Sequence, residues 1–587
     1  MERREFAILR TESDPISRRM LLKRATALAI GGSVTAAILA ACGSSGSAPT
    51  ATTGVAATPA TSSGASSATT APKTGSLAAG ATTVSGSAAA PTSAGQGIKG
   101  GTLNVALIGE PPTLDIHQTT ASITFYVGWT MFESLFTWDS KYQLIPSLAE
   151  SHTISTDQLT QTIKLRKGVK FHNGQEMKAA DALASITRWA GKSGVGKSVL
   201  AATDTINTPD DYTLEFKLKK PYGTLSLALS QVSQGCAIMP KSVIDETGTG
   251  QLAKFIGTGP YQFGDHQPDR FITVNRFNDY APLPGDANGL GGHKFQYLDS
   301  IKFIPVPDES ARVAGMLAGD YDLLEDVGAD QQGKLQSNPN VVASVVTQQG
   351  WDVFFLNYKS PMMANLKMRQ ALQAALDHEP IMAAGRGKGF YDLNPSLMWK
   401  KTPWYNEAGK ELYNPHDPGK AKSLLKDAGY AGTPVRFMTT QQYPWMANEA
   451  TVAKQQLEEA GFKVDLQVYD WATVVDRRGK ADLWDVFTTG HGFVPDPSQI
   501  TVIGQIGTYP GFWSDEPTKA LVDQLLAESD TGKRMQTWQQ IQTNFYQTVP
   551  AIKLADQSGL NARSSRIGGW TDQIDLGTPF WNLWLKK

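Results

Sequence analysis

The sequence predicts an α/β fold, with helices on the faces of a layered sheet, and three segments lead to that prediction. Asp417 and Pro418 begin a helical pattern that ends before Gly429, and the strand VRFM follows. Residues 447–461 repeat this order, because a helical pattern ends in glycine before the strand KVDLQVYD. Residues 309–327 give a third case. Proline suits the first turn of a helix and glycine the residue after its end, so each unit is a capped helix that leads into a strand.

The other elements follow from the spacing of apolar residues. GTLNVALIGEPPTLD gives a strand and then a break at two prolines, and residues 122–136 are expected to be helical or mixed. Residues 165–186 combine a strand, an Asn173-Gly174 turn and a helix that begins near Lys178. Further strands are predicted at YTLEFKL, FITVNRF, SIKFIPV and VFFLNY, and amphipathic helices at EPTKALVDQLLAESD and RMQTWQQIQTNFYQ.

Length, charge and cysteine count narrow the class of protein. At 587 residues the chain is too long for one simple core, so two or three lobes are expected. The formal net charge is only −1 and no basic cluster marks the globular part, so no nucleic-acid partner is expected. Cys236 is the one cysteine of the globular part, and its apolar neighbours predict a buried, unreactive thiol.

Residues 1–42 are predicted to be an export signal. Arg18 and Arg19 form the pair typical of a twin-arginine signal, and the weakly apolar residues 25–41 follow, at the short limit for a membrane span. The sequence Leu-Ala-Ala before Cys42 resembles a lipoprotein box, which implies cleavage before Cys42 and a lipid anchor on its thiol. The protein is therefore expected outside the cytoplasm, anchored by lipid at the outer face of the cell membrane or in the periplasm. The twin-arginine and the general export routes both stay open.

Residues 43–98 are predicted to be a disordered linker. They consist almost wholly of Ala, Ser, Thr, Gly and Pro, with no aromatic residue and no apolar period. Such a segment cannot bury enough apolar surface to offset the entropy of ordering it.

A series of ordered motifs runs through the globular part. They are LIPSLAES at 144–151, the strand-turn-helix segment at 165–186, GTGPY at 257–261, AGMLAGDYDL at 314–323, MRQALQAALDHEPI at 368–381 and DPGKAKSLLKDAGY at 417–430. In this order they closely resemble the extracytoplasmic solute-binding proteins of ABC importers, in the peptide/nickel-binding family, family 5. The resemblance covers essentially all of the chain from Gly100 onward.

The resemblance implies a particular architecture. It is a two-lobed periplasmic-binding-protein-like fold of type II, in the large cluster with an extra inserted domain, and a hinge joins the lobes. Lobe I is expected to contain residues 99–145, 257–350 and 555–587. The inserted domain II is expected at residues 146–256 and lobe II at residues 351–554.

The resemblance also implies the function. A small solute, such as a peptide, an oligosaccharide or a related compound, would be captured between the lobes and passed to ABC permease subunits. No cofactor is expected, the protein is expected to be a monomer, and no enzyme activity is predicted. Two alternatives stay open: a secreted hydrolase that is exported folded, and a ligand-sensing surface lipoprotein on the same scaffold.

Two kinds of chemistry are tempting but poorly supported. GKSGVGKS at 191–198 matches a phosphate-binding loop, yet the residues before it form a helical pattern instead of the required strand, so a mobile loop is predicted. None of the eight histidines is paired at metal-ligand spacing on a helix, so no metal site is predicted. A chelated nickel ion remains possible as cargo, since the family includes nickel-binding members.

Ligand contacts are predicted in loops between the lobes, because a cleft of this kind needs aromatic faces and a few polar groups. In family members that bind peptides, an acidic residue three positions before the Asp-Pro pair meets the amino group of the peptide, but this chain has Phe493 there. That difference argues against ordinary peptides held by their amino terminus. The predicted ligand-binding residues are Thr119, Thr120, Tyr126, Trp404, Tyr405, Trp445, His491 and Phe493.

Overall fold

The structure is a computed structural model that describes residues 97–571 and 576–587. Arg18, Arg19 and Cys42, with the predicted signal and nearly all of the predicted linker, lie outside the described residues. None of the helices in the described ranges is long and apolar enough to cross a membrane.

The strands are, in chain order, β1 (Thr102–Leu107), β2 (Phe136–Trp138), β3 (Leu144–Pro146), β4 (Ala149–Ile154), β5 (Thr160–Leu165), β6 (Thr203–Asp210), β7 (Thr213–Leu218), β8 (Tyr261–Gln267), β9 (Phe271–Arg276), β10 (Ala287–Asn288), β11 (Gly291–Gly292), β12 (Ser300–Pro305), β13 (Leu323–Val327), β14 (Val341–Leu356), β15 (Tyr391–Asp392), β16 (Val435–Thr440), β17 (Val464–Tyr469), β18 (Val486–Gly492), β19 (Ala551–Ser564), β20 (Ile567–Gly568) and β21 (Trp584–Leu585).

The α-helices are α1 (Ser122–Met131), α2 (Ala179–Lys192), α3 (Gly194–Ala202), α4 (Leu225–Leu229), α5 (Lys241–Thr247), α6 (Glu309–Ala318), α7 (Gln332–Gln336), α8 (Leu366–Ala375), α9 (His378–Gly385), α10 (Pro418–Asp427), α11 (Pro444–Glu459), α12 (Trp471–Arg478), α13 (Thr501–Gly504), α14 (Glu516–Ala527) and α15 (Thr531–Thr548).

The three capped units behave as predicted. The Asp417 side chain accepts a hydrogen bond from the amide of Lys420 at the start of α10, and Pro418 is the first helical residue. Gly319, Gly429 and Gly461 follow α6, α10 and α11 with φ of 85°, 70° and 100°. Only glycine adopts such angles without strain, so these residues end each helix and turn the chain into β13, β16 and β17.

Within the described residues, one large sheet of eleven strands carries the fold. Its order is β17-β16-β18-β14-β19-β13-β1-β12-β9-β8, and β15 pairs with β19 at the side. Parallel pairs occur on both sides of the central strands, since β16 pairs in parallel with β17 and β18, and β1 with β12 and β13. The long antiparallel pair β14 and β19 joins the two sides.

The pairing of β14 with β19 is interrupted where the sheet passes from one side to the other. Val346 pairs with Gly559, but the next pair along is Gly350 with Gln557, so the intervening residues of β14 bulge. Gln348, inside this bulge, has a φ of 55°. On the side of the bulge that begins at Gly350, β14 also pairs with β18. On the other side, β19 also pairs with β13, between Leu560 and Arg563. The bulge therefore divides the sheet into a first side, with β13 and β1, and a second side, with β18 and β16.

Each side of the sheet has its own core. Leu103, Val105 and Phe303 of β1 and β12 pack in one cluster with residues of α1. Phe354 and Leu425 belong to another cluster, which joins β14 to α8, α10 and α11. Each side of the sheet therefore packs against its own helices.

A second sheet lies within residues 149–218, in the order β4-β5-β7-β6, with all neighbours antiparallel. Helix α2 begins after the predicted Asn173-Gly174 turn, where Gly174 has a φ of 84°. The predicted turn and helix are therefore present in residues 165–186, whereas the predicted strand, β5, ends at Leu165 and does not resume at Val169.

The prediction of a mobile loop at residues 191–198 is wrong. Helix α2 continues to Lys192, and α3 begins at Gly194 after the single residue Ser193, whose hydroxyl accepts from the amide of Gly196. Val195 and Val199 are buried in a core cluster, and this burial makes the segment helical despite its glycines. The segment follows a helix and not a strand, as the sequence indicated.

Candidate ligand-binding site

A cavity of about 360 Å³ lies against the bulge between the two sides of the sheet. Gln349, Gln557 and Gly559 from the bulge line it. The first side of the sheet contributes α1 and the loop before it, and the second side contributes the end of β18 and the starts of α11 and α12. A bound solute would therefore contact both sides at once.

Five of the predicted ligand-binding residues line this cavity: Thr120, Tyr126, Trp445, His491 and Phe493. They come from distant parts of the chain, and the two long strands bring them together.

The other three predicted residues do not line the cavity, and their contacts lie elsewhere. The Thr119 hydroxyl accepts from the amide of Ala121. The ring of Trp404 lies under the guanidinium of Arg534, with the Arg534 Cζ 4.7 Å from its centroid. The Tyr405 hydroxyl donates to Glu407.

Aromatic side chains form much of the wall. Trp129 and Trp138 donate their indole N–H groups to the carbonyls of Val232 and Ser230, which holds the rings in place. Trp445 lies on the opposite side, 6.2 Å from Tyr443 between ring centroids. Rings that are oriented in this way can cover apolar or planar parts of a solute. The aromatic residues of the lining are Phe125, Tyr126, Trp129, Phe132, Trp138, Tyr443, Trp445, Trp471, Phe493, Tyr509, Trp570 and Trp581.

His491 lines the cavity, and both of its ring nitrogens form hydrogen bonds with backbone groups. Its Nδ1 donates to the carbonyl of Gly492 at 2.7 Å, and its Nε2 accepts from the amide of Thr501 at 3.0 Å. The ring also stacks on Trp351, with centroids 4.7 Å apart. Burial lowers the pKa of His491 to about 4, so the ring is neutral at physiological pH. His491 therefore offers neither a charge nor a free nitrogen to a ligand.

Phe493 belongs to an aromatic cluster, so its position offers a ring and no carboxylate to a ligand. Its ring lies 4.7 Å from that of Tyr142 and 4.9 Å from that of Trp399, and the Lys401 ammonium lies 4.3 Å from its centroid. A cation on this ring makes the surroundings of Phe493 unfavourable for the ammonium of a ligand.

Asp496, the next carboxylate along this loop, is committed to a buried ion pair. Its two oxygens accept from Nη1 and Nη2 of Arg534 at 2.8 and 2.7 Å. One of them also accepts from the amide and hydroxyl of Ser498. Asp496 thus fixes the loop that carries Phe493, and it does not line the cavity.

Five charged residues line the cavity: Glu133, Lys294, Glu325, Arg386 and Arg478. The Lys294 ammonium donates to Glu133 at 2.8 Å. Nε and Nη2 of Arg386 donate to the two oxygens of Asp352, both at 2.7 Å, and its guanidinium lies 3.7 Å from the centroid of Trp445. These pairs orient charged groups within an aromatic wall.

A second carboxyl, Glu449 of α11, lies buried beside Asp352. Burial first, and then the negative charge of Asp352, raise the pKa of Glu449 well above its usual value, although Arg386 opposes the shift. Glu449 is therefore protonated in the folded protein under conditions where the unfolded chain would ionise it. Folded-state stability from this group is complete below the unfolded pKa of 4.5 and declines as pH rises above it.

Replacing Glu449 by glutamine should remove this pH dependence. The amide keeps the shape of the protonated carboxyl but cannot ionise, so the variant should gain stability relative to the wild type as pH rises from about 5 to about 8, by up to about 1.4 kcal/mol per pH unit. Thermal melting over that range measures it. The exposed Glu459 of the same helix is a matched control, and Glu459→Gln should leave the slope unchanged. Parallel curves for the wild type and Glu449→Gln would contradict the assignment.

The sequence reasoning missed the charged residues of the site. Arg386 lies in the run GRGKG after α9, and Arg478 ends α12 beside Arg477. Nothing in their local pattern separates them from ordinary surface cations, because their surroundings come from strands far away in the chain. The partner of Arg386, Asp352, lies in the middle of an apolar strand pattern, and such a buried carboxylate was the available signal.

Comparison with known proteins gives a consistent result. The model of the bacterial extracellular solute-binding proteins, family 5, middle region, matches residues 143–505. A probable peptide ABC transporter periplasmic-binding protein, y4tO of Sinorhizobium fredii, is 27% identical over 479 residues, with 78% of this chain and 88% of the relative covered. The glutathione-binding protein GsiB of Escherichia coli K12 is 26% identical over 503 residues, covering 80% and 91%.

Solved structures share the fold. The periplasmic binding protein DppA of Helicobacter pylori, in complex with the peptide STSA, superposes with a TM-score of 0.74 at 23% identity, covering 84% of this chain and 99% of that one. The predicted α/β, two-lobed periplasmic-binding-protein-like fold is therefore confirmed.

Proposed function

Because this chain belongs to the bacterial extracellular solute-binding proteins of family 5, and is a substrate-binding protein of an ABC importer, we propose that it captures a small peptide or peptide-like solute in the cavity at the bulge and delivers it to permease subunits. The observation that carries the proposal is the cavity itself, which both sides of the sheet line with aromatic rings and oriented charges.

The bulge in β14 and β19 serves as the hinge in this proposal. Lobe I corresponds to residues 99–145, 257–350 and 555–587, lobe II to 351–554, and the inserted domain to 146–256. The interruption between Val346 and Gly350 falls near the proposed boundary, at a point where β14 and β19 run from the first side of the sheet into the second. Small changes in the backbone there can close the lobes on a solute, as hinge motions do in binding proteins.

The charged lining favours a peptide-like solute over a neutral oligosaccharide or a metal chelate. Arg386 and Lys294, which are paired with Asp352 and Glu133, place oriented charged groups in the wall that a neutral sugar does not require. His491 would be the natural ligand for a chelated nickel ion, but its nitrogens already bind backbone groups. Capture of a peptide amino group at Phe493 is not part of the proposal, since the Lys401 ammonium already lies over that ring.

Release of a bound molecule tests the proposal. The purified protein should retain a small solute, and denaturation should release it for identification by mass spectrometry. Returning that solute to refolded protein should give saturable binding by calorimetry, and its mass should stay unchanged after long incubation. A product of different mass would favour the secreted hydrolase instead. The absence of any retained solute, together with no binding from a peptide pool, would contradict the proposal.

A lipid anchor on Cys42 completes the proposed arrangement, with the linker of residues 43–98 between membrane and binding domain. Two acyl chains suffice for a lasting anchor, because each buried methylene contributes about 0.8 kcal/mol. The protein should therefore incorporate labelled palmitate and sediment with membranes. Cys42→Ser should abolish both, and unchanged sedimentation of that variant would contradict the anchor. In this proposal, the protein acts as a monomer and leaves its solute chemically unchanged.

A further inference from the structure

The proposed inserted domain, residues 146–256, meets the end of helix α14 in a set of hydrogen bonds. The Gly223 amide donates to the carbonyl of Ala527 at 3.1 Å, and the Thr224 amide donates to the carbonyl of Leu526 at 3.2 Å. The Thr224 hydroxyl also donates to the Leu526 carbonyl, at 3.0 Å. The last carbonyls of an α-helix have no partner within the helix. These donors from the inserted domain therefore complete the end of α14.

Two glycines allow the two bodies to approach this closely. A Cβ on Gly223 would lie 2.8 Å from the carbonyl carbon of Glu528 and 2.9 Å from the oxygen of Ala527, so no side chain fits there. The backbone of Gly223 does not lie in the left-handed region, so the close approach alone requires glycine. Gly194, the first residue of α3, faces Gln505 in the same way, with an ideal Cβ 2.5 Å from its Oε1.

The contact is shielded from water and extends to the second side of the sheet. Gln499 adds a side-chain bond, since its Nε2 donates to the carbonyl of Leu227 in α4 at 3.0 Å. Thr224 and Gln499 are 1% and 4% exposed. Leu525 of α14 belongs to the same core cluster as Phe487 of β18. The inserted domain is therefore bonded to the body that carries the second wall of the cavity.

A stronger contact joins the inserted domain to the first side of the sheet. Nη1 and Nη2 of Arg188 in α2 donate to the two oxygens of Asp115, which follows β1, at 3.0 and 2.5 Å. Both side chains are buried, and breaking a buried ion pair is strongly unfavourable. At the contact with α14, by comparison, Lys220 and Asp523 form an ion pair whose side chains are both 54% exposed, which stabilises little. Opening at the bulge would therefore separate the inserted domain from α14 and leave Arg188 paired with Asp115.

We propose that the inserted domain is a latch: its contact with the end of α14 holds the closed state and must break before a solute enters or leaves. The latch consists of Gly223 and Thr224 on one body and Leu526 and Ala527 on the other. None of these four residues lines the cavity, so the latch sets the rate of opening without touching the solute. This inference rests on the proposed function and gives the inserted domain a role in it.

Distances across the latch test the inference without any solute. Spin labels at Asn207→Cys in β6 and Gln540→Cys in α15 occupy exposed positions of the two bodies, in a Cys42→Ser protein. The wild-type latch should give a short-distance component in pulsed dipolar spectra, and Gly223→Ala should lose it, because the added methyl meets the backbone of α14. Gly191→Ala adds the same methyl in open space and should keep the component. A wild type without this component, or its persistence in Gly223→Ala, would overturn the latch.

Release of bound peptide tests the effect on function. The protein is loaded from a pool of random tripeptides and diluted, and the retained peptide is followed over time by native mass spectrometry. Gly223→Ala should release peptide at least about tenfold faster, since losing two or three ordinary hydrogen bonds changes an equilibrium by such a factor. Gly191→Ala should stay within about twofold of the wild type.

A second variant keeps this test valid if Gly223→Ala does not fold. Thr224→Val removes one hydrogen bond and keeps the volume of the side chain, so it should accelerate release a few-fold. Thermal melting of each variant separates the latch from a structural contact. Lower thermal stability with an unchanged rate of release would overturn the latch.

A cross-link across the latch should have the opposite effect. Lys220→Cys and Asp523→Cys replace the exposed ion pair, and a cleavable bis-maleimide reagent joins them in the Cys42→Ser protein. Cross-linking after loading should slow the release of tripeptides at least about tenfold, and cleavage of the reagent should restore the rate. Equal release with and without the cross-link would overturn the latch and leave peptide binding intact. A wild type that retains no peptide would overturn the proposed function, and the spin-label distances would still decide the latch.

Discussion

Replacing Asp496 by alanine should lower the free energy of unfolding by about 3–5 kcal/mol. The side chains of Asp496 and Arg534 are 5% and 6% exposed, and they form two parallel hydrogen bonds. Removal of the carboxylate leaves the Arg534 guanidinium buried over Trp404 without a counter-ion. The loop that carries Phe493 also loses its contact with Ser498. Urea unfolding of wild type and variant, side by side, measures the loss.

A double replacement separates the missing ion pair from the missing contacts. Asp496→Ala with Arg534→Met removes both charges and fills the site with an apolar chain, so it should recover a large part of the lost stability. If Asp496→Ala alone falls within about 1 kcal/mol of the wild type, the pair is not the buried contact that the geometry indicates. A double variant no more stable than the single one would assign the loss to the loop contacts.

Replacing Trp445 by alanine should weaken solute binding by about 30-fold or more, a loss of at least about 2 kcal/mol. Trp445 is 9% exposed, lines the cavity, and packs against the Arg386 guanidinium at 3.7 Å. Truncation removes an aromatic wall and leaves Arg386 without the ring that orients it. Calorimetry with the released solute measures the change.

Trp445→Phe is the matched control, since it keeps an aromatic face at the same position. It should raise Kd by only a few-fold, because phenylalanine still covers the solute although its ring binds a cation less well than that of tryptophan. Both variants should melt close to the wild type if the effect lies in the site. Wild-type affinity in Trp445→Ala would place the solute away from this wall.

Local chemistry made much of the fold predictable. Glycine after α6, α10 and α11 and proline at the start of α10 mark element ends that tertiary contacts do not move. The apolar faces of α14 and α15 were also readable, since Leu525, Trp538, Ile541 and Phe545 are buried and Leu521 is half-buried against the same core cluster. The prediction of a loop at residues 191–198 failed because the glycines of this segment favour a loop in isolation. Burial of Val195 and Val199, which local sequence does not reveal, makes it helical.

The candidate site was predictable only in part. Trp445 stood out as an aromatic residue in a predicted loop, and the structure places it at the start of α11 in the cavity wall. The same reasoning selected Trp404, which in the structure lies under Arg534 and outside the cavity lining. Arg386 and Arg478 acquire their significance from Asp352 and Thr120, more than thirty and three hundred residues away along the chain. Such contacts exist only after the two long strands have brought both sides together.

The central claim is that a solute binds between two bodies joined at the β14–β19 bulge. Spin labels at Asp320→Cys after α6 and Val468→Cys in β17 lie at exposed positions on the two sides. Cys236 is fully buried and burial raises the pKa of its thiol, so it should stay unlabelled, and Cys42→Ser removes the remaining cysteine. Pulsed dipolar spectroscopy should show a broad distance distribution without solute and a shorter, narrower one at saturation. An unchanged distribution, while calorimetry shows saturable binding, would contradict the account.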